Sequence, residues 1–340
     1  MRITSIDTFR VIAILAVIGI HAFAFWLYPK TYDWVQLLNR FAVPFFFITS
    51  GYFFTLRALA GKDPTSMAVA SAKRLALIFF VWSCVYALAP AFIPKNWANV
   101  AQNGWSAELF KQLQLSFSDF SQRPVFNLFQ GPGFHLWYLP ALICCQLLLG
   151  VSLRFKQLPS FMLLALALFI FALLAKPYAN TAWGIRIAFD ARNGPFFGSI
   201  FVAMGAWLAY KNFKPGWKMA MAVLLLGYGL QFWEGQYLHH LNPAMPVAGN
   251  DFLVGTVFLG LGVMLVALAL PTLGASTKIY KLAPYGLGIY VIHILVRDFL
   301  EPIHSSLPFY AVTWTLATFI VSLGLIFLLN KIAFIRATIS

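Results

Sequence analysis

The chain has 340 residues, of which 61% are hydrophobic and 10% charged, and its mean hydropathy is +0.79. A water-facing surface ordinarily needs about a quarter of the residues charged, so a soluble globular chain is excluded, and the high hydrophobicity excludes disorder as well. A formal charge of +14 would point to nucleic acid in a soluble protein, so the placement of the 24 Lys and Arg decides the partner.

A membrane-spanning helix needs roughly 20 mostly apolar residues at about 1.5 Å rise each. On that rule the sequence predicts an all-α, polytopic integral membrane protein of about ten transmembrane helices. They run approximately over 8–28, 41–59, 72–93, 136–153, 159–176, 195–210, 217–233, 251–270, 285–300 and 309–330. The chain reads as one membrane domain over 1–340, without a coiled coil, low-complexity segment or short repeat.

The first segment imitates a signal peptide, with Arg2, an apolar run from Val11 to Ile20, and Ala22-Phe23-Ala24 as a cleavage-like site. Arg10 lies inside it, however, and the apolar character continues through Phe25-Trp26-Leu27, which favours an uncleaved first span. Arg10 and His21 are separated by ten apolar or small residues. Eleven steps of about 100° return to nearly the same helix face, with His21 roughly 16 Å above Arg10. Asp7, one turn before Arg10, is placed to pair with it. Arg10 reads either as an interfacial anchor or as a ligand-binding cation, and His21 either as a hydrogen-bonded packing residue or as a working imidazole.

Further along, Lys73 and Arg74 are expected to start the third span, as topological anchors or as binders of a phosphorylated cytoplasmic ligand. The segment 94–134 is expected to be a long extracytoplasmic loop, rich in Trp and Gln, which either packs in solvent or caps an outward-facing site. His135-Leu136-Trp137-Tyr138-Leu139 opens the fourth span at the level of an aromatic belt. On the ninth, Tyr290, His293 and Arg297 follow at three and four residues and share a face, suited to interhelical hydrogen bonds or to chemistry. Cys84, Cys144 and Cys145 sit in apolar runs with no metal or disulfide spacing, and no metal site is expected.

The spans account for the charge. With the N-terminus cytoplasmic, the inner side holds fourteen Lys and Arg against Asp7 and Asp63, and the outer side nine against eight acids. Only Arg10 is left inside the membrane. The excess follows the positive-inside rule, both termini are cytoplasmic, and nucleic acid is not needed as a partner. P-loop, Rossmann, HExxH and GxSxG patterns are absent. No Asp or Glu falls in the middle of a predicted span, which counts against proton-coupled transport.

Five pieces in chain order carry a resemblance. Ile6-Asp7-Thr8-Phe9-Arg10 with His21 resembles the I-D-x-L-R…H opening of the integral membrane acyltransferase family 3, in which a basic residue precedes His by ten residues. Pro44-Phe45-Phe46-Phe47-Ile48-Thr49-Ser50-Gly51-Tyr52 is similar to that family's second-helix segment, and Lys73-Arg74-Leu75 to its basic start to the third, where a further Arg is common. His135-Leu136-Trp137-Tyr138-Leu139 and Tyr290-Val291-Ile292-His293 resemble its H-L-W-(F/Y)-L and Y-x-x-H motifs.

The resemblance implies a stand-alone enzyme of the bacterial cytoplasmic (inner) membrane, without a soluble esterase-like domain. Such an enzyme transfers an acyl group, most often acetyl, from cytoplasmic acyl-CoA to a sugar of the envelope, either a surface polysaccharide or a polyprenyl-linked precursor. In that scheme acetyl-CoA is the donor, Arg10, Lys73 and Arg74 hold its phosphates, and His21 is the general base. Asp7, His135, Trp137, Tyr138, Tyr290 and His293 then bind or orient the substrates. A transporter or flippase for an envelope precursor or a small polar metabolite, or a non-catalytic scaffold, explains the spans but gives Arg10 and His21 no particular task. An uncleaved first span makes a simple prediction: intact-mass measurement of the purified protein finds residues 1–24 retained, and their loss would overturn it.

Overall fold

The structure, a computed structural model, describes residues 3–22, 29–302 and 310–339. Among these there is no β-strand. The helices are α1 (Thr4–Ala22), α2 (Pro29–Asn39), α3 (Ala42–Leu59), α4 (Pro64–Leu88), α5 (Trp97–Asn103), α6 (Trp105–Gln122), α7 (Pro124–Gln130) and α8 (Tyr138–Arg154). They continue with α9 (Leu158–Ala175), α10 (Pro195–Tyr210), α11 (Trp217–Leu241), α12 (Val254–Ala269), α13 (Gly286–Leu300), α14 (Tyr310–Leu329) and α15 (Ala333–Ile339).

Each predicted apolar segment contains a helix. Among the described residues six stretches are long and apolar enough to cross a membrane: Thr4–His21, Asp33–Leu59, Pro64–Ala91, Leu158–Ala175, Ile279–Leu300 and Val312–Leu329. Three more apolar helices, α8, α10 and α12, are shorter. The chain is therefore a multi-pass membrane protein. The predicted continuation of the first span over 23–28 and the start of the last at 309 lie outside the described residues.

Several boundaries differ from the sequence expectation for identifiable reasons. α4 begins well before residue 72 because Asp63 caps it: the Ser66 N–H donates to Asp63 Oδ2 at 2.7 Å, with Pro64 in the first turn. That hydrogen bond holds the Asp63 carboxyl below its ordinary range. Lys73 and Arg74 accordingly stand in the third turn of α4, exposed, rather than at its start.

α11 continues past 233 through Glu234, a charge at which a hydropathy rule stops. Glu234 is 4% exposed, and its oxygens accept from Val254 N (3.0 Å), Gly255 N (2.7 Å) and Tyr178 Oη (2.6 Å). The carboxylate thus takes up free N–H groups at the start of α12, where the helix dipole also favours negative charge. Glu234 stands just beyond the predicted span 217–233 rather than in its middle, and structural hydrogen bonds occupy its carboxylate.

The expected loop over 94–134 is largely helical, as α5, α6 and α7. Gly104 (φ 81°) and Gly131 (φ 71°) stop α5 and α7 in the left-handed region that a glycine adopts without strain. At the other end of the chain, α15 folds back between α4 and α13. The indole Nε1 of Trp82 donates to the carbonyl of Thr338 at 3.1 Å, and Ile339 is buried.

The tightest crossing joins α3 and α10. A Cβ added at Gly51 would strike the carbonyl oxygen of Val202, and one at Gly205 the carbonyl oxygen of Ile48. The two backbones touch there, as helices in lipid do where small residues face each other. Gly205→Ala is expected to lower stability by about 1–3 kcal/mol through overpacking. Gly229→Ala in α11, where nothing lies within 4 Å of the new Cβ, should leave it unchanged or gain up to about 1 kcal/mol. Thermal unfolding of the detergent-solubilised protein distinguishes the two.

Candidate functional site

α1 carries polar groups at two levels. Near its start, Arg10 Nη1 donates to Asp7 Oδ1 at 3.2 Å, the pairing expected from the sequence, and both side chains are half-buried. Near its end, His21 meets two other histidines. Its ring stacks on His293 of α13 with centroids 5.6 Å apart and planes at 28°, and the edge of Phe134 closes on it at 5.1 Å. His135, just before α8, lies 5.2 Å from His293 in an edge-on arrangement. Residues from three distant parts of the chain therefore form one cluster.

The three rings are not equivalent. His293 and His135 are 0% and 3% exposed, whereas His21 is half-buried. His293 Nδ1 lies 2.6 Å from the carbonyl oxygen of Tyr290. A carbonyl can only accept, so Nδ1 carries the proton and a neutral His293 presents Nε2 as an acceptor. That Nε2, and both ring nitrogens of His135, lack a hydrogen-bond partner among the described residues. Buried, unpartnered imidazole nitrogens next to a less buried imidazole are an unusual and costly arrangement unless a ligand or water completes them.

Surrounding groups fix this geometry. The Tyr290 hydroxyl donates to the carbonyl of His135, and the Tyr86 hydroxyl to that of Val291 at 2.8 Å. Arg297 Nη1 donates to the carbonyl of His21 at 3.2 Å, while its Nε donates to Asp298 Oδ1 at 2.9 Å. Gln36 Nε2 of α2 donates to the carbonyl of Ile20 at 2.8 Å, so the end of α1 is held from two sides. The face shared by Tyr290, His293 and Arg297 is thus realised, each residue acting on a different partner. Tyr138 packs against Tyr290 at 5.6 Å and against Phe47 at 4.7 Å, a supporting position behind the histidines.

Trp137 leads to a feature that sequence reading missed. The Arg192 guanidinium lies over its ring, 4.7 Å from the centroid. Arg192 also pairs with Asp251 (3.1 Å) and Asp190 (3.7 Å), Lys176 with Asp251 (2.9 Å) and Asp190 (2.5 Å), and Arg40 with Asp251 (3.7 Å). Three cations and two acids thus tie together the connections before α3, after α9, before α10 and before α12. In the sequence these residues stood only as outer-side charges in a topology count, and no spacing brings them together.

Lys73 and Arg74 stand elsewhere. They precede Tyr86, which packs on His135 at 4.9 Å, by 12–13 residues on α4, or roughly 20 Å of helix rise. Arg10 lies roughly 16 Å from His21 along α1 in the same sense. Arg10, Lys73 and Arg74 therefore each stand well apart from the histidine cluster along their helices. Among the described residues no group of three His, Cys, Asp or Glu is arranged to hold a metal ion.

The model of the acyltransferase 3 family, described as an acyltransferase domain, matches residues 3–331. Among curated proteins, an amino-acid racemase of Enterococcus faecalis is 27% identical over 61% of this chain and 28% of its own length. A serine/alanine racemase of Enterococcus gallinarum is 28% identical over 70% of this chain and 34% of its own length. A second E. faecalis amino-acid racemase is 24% identical over 90% and 43%. The chain spans less than half the length of these relatives. No solved structure matches.

The ion cluster makes a testable prediction. Asp251→Asn leaves Arg40, Lys176 and Arg192 around the single acid Asp190, and should cost on the order of 3 kcal/mol, read as a lower unfolding temperature in detergent. Arg154→Ala, at an exposed pair with Asp63, should cost at most about 1 kcal/mol.

Proposed function

The chain belongs to the acyltransferase 3 family, and from that premise we propose that it transfers an acyl group, acetyl in the favoured case, from cytoplasmic acyl-CoA to a hydroxyl of an envelope sugar. The acceptor is a surface polysaccharide or a polyprenyl-linked precursor in the bacterial inner membrane. In this reading the chain crosses the membrane about ten times with both termini cytoplasmic. The observation that carries it, beside the family match, is that His21 is the least buried member of a cluster of three histidines, with Arg10 about three turns below on the same helix face.

The chemistry assigns each residue a task. Arg10 binds the anionic phosphates of the donor by charge-assisted hydrogen bonds, with Lys73 and Arg74 adding positive charge at that end. The pantetheine arm then runs along α1 and brings the thioester to His21. His21 takes the proton from the acceptor hydroxyl as its oxygen attacks the thioester carbonyl carbon. The C–S bond breaks, and the departing sulfur receives the proton to leave as free CoA thiol. His293 Nε2 and the ring nitrogens of His135 supply hydrogen-bond capacity for the incoming hydroxyl or for the His21 N–H, and Tyr290, Trp137 and Tyr138 hold that wall in place. The racemase activity named for the enterococcal relatives describes proteins of which this chain spans less than half, and it does not enter this reading.

His21→Ala is expected to lower acyl transfer by about 10²- to 10⁴-fold, with unchanged membrane insertion and unfolding temperature. Arg10→Ala should mainly raise the KM for the donor. The assay is transfer of radiolabel from acetyl-CoA to an envelope extract by the purified protein. Full activity of a well-folded His21→Ala variant overturns the role of His21. Vectorial uptake of a solute into vesicles without acceptor labelling would favour a transporter.

A further inference from the structure

α6 is packed inside out for a helix in water. Its protein-facing stripe is Glu108, Gln112, Ser116 and Asp119, at spacings of four, four and three. Glu108 is 2% exposed and accepts from Gln112 Nε2 at 2.7 Å. Ser116 Oγ donates to the carbonyl of Ala87 at 3.3 Å, and Asp119 accepts from Asn127 Nδ2 at 2.8 Å. Four apolar residues point away from the protein: Phe110, Leu113, Phe117 and Phe120 are 62%, 51%, 75% and 48% exposed, while Leu115, 56% exposed, borders the protein-facing stripe.

At about 100° per residue those four side chains fall within one arc of roughly 80°. Lys111, Gln114, Ser118 and Ser121 fill the next arc of similar width and are exposed too. The helix therefore has a protein face, an apolar face and a polar face. On α7, Val125 and Leu128 continue the exposed apolar surface, beside a cavity of about 280 Å³. Phe126, Phe129, Phe189 and Phe196 form its apolar wall.

The height of α6 is set by its anchor. Ala87 lies at the end of the Pro64–Ala91 stretch, which is long and apolar enough to cross a membrane and exposes Phe80 and Val85 along its side. α6 thus lies where such a span leaves the hydrocarbon, and both helices expose large apolar side chains. We propose that α6 is an interfacial helix, with Phe110, Leu113, Phe117 and Phe120 inserted among the lipid chains of one leaflet and Lys111, Gln114, Ser118 and Ser121 facing the headgroups and water. Its partner is the lipid surface, and the segment 94–134 is part of the membrane-bound body rather than a solvated cap. The three-faced pattern is what an amphipathic helix held flat at the interface requires once one side is taken by protein.

The test uses the full chain in phosphatidylcholine vesicles, with Cys84, Cys144 and Cys145 replaced and single spin labels at Phe110→Cys, Gln114→Cys, Phe117→Cys and Ser118→Cys. Labels at 110 and 117 should be reached by oxygen in preference to a water-soluble nickel chelate, and labels at 114 and 118 the reverse. Chelate access at all four sites overturns the proposal in favour of a solvated cap. Labels at 110 and 117 shielded from both reagents, with dipolar broadening between copies, overturn it in favour of a protein partner. Phe117→Trp and Gln114→Trp provide a second measurement with the native cysteines. Brominated lipid chains should quench the added fluorescence of the first and aqueous iodide that of the second, and quenching of both by iodide alone overturns it.

Discussion

Lipid chains are as apolar as leucine, so burying apolar area does not drive these helices together, and the bundle depends on backbone approach and on satisfied polar groups. The contact of Gly51 and Gly205 with the facing backbones of α10 and α3 is the clearest case. α3 also carries Phe47, which packs against Tyr138 at 4.7 Å and Phe197 at 6.0 Å, so the crossing sets the wall on which the His135 segment rests. Where side chains do the joining, they do it through hydrogen bonds that a low dielectric strengthens. Glu234 holds the start of α12, and Ser5 Oγ donates to the carbonyl of Ala267 at 2.5 Å.

The candidate site uses the same physics for a different end. Its carbonyl acceptors, at Ile20, His21, His135, Tyr290 and Val291, belong to the helices that carry the histidines, and each is taken by a polar side chain. The backbone around the cluster is thereby fixed while both ring nitrogens of His135 and Nε2 of His293 have no partner among the described residues. Fixed surroundings with unspent hydrogen-bond capacity are what a preorganised acyl-transfer site needs, because donors and acceptors already in place cost no reorganisation when the reaction occurs. The ion cluster beside Trp137 adds positive charge near that wall and braces four connections at once.

Much of this was legible in the residues. Arg10, His21, His135, Tyr290 and His293 stand out because ionisable or hydrogen-bonding groups in apolar helices are expensive, and helix periodicity already puts Arg10 with His21 and Tyr290 with His293. The Asp7 to Arg10 pair follows from one helical turn. By contrast, the pairing of Lys176, Asp190, Arg192, Arg40 and Asp251 joins positions spread over some two hundred residues, and each alone reads as an ordinary loop charge. The helicity of 94–134 was missed because its apolar side chains do not form an unbroken run, and a rule that counts apolar residues is blind to a helix that exposes them on one face only.

The sequence by itself determined the class: an all-helical membrane chain with two polar stripes at helical spacing, since hydropathy and periodicity are local properties. Only the tertiary structure decided that His21, His135 and His293 share one cluster, and that His21 is its least buried member. It also decided that Glu234 serves as a cap for a neighbouring helix and that α6 turns its polar side to the protein. These depend on which helices lie side by side and how they are rotated, and small-residue crossings and long-range hydrogen bonds set both, at separations that no local pattern records.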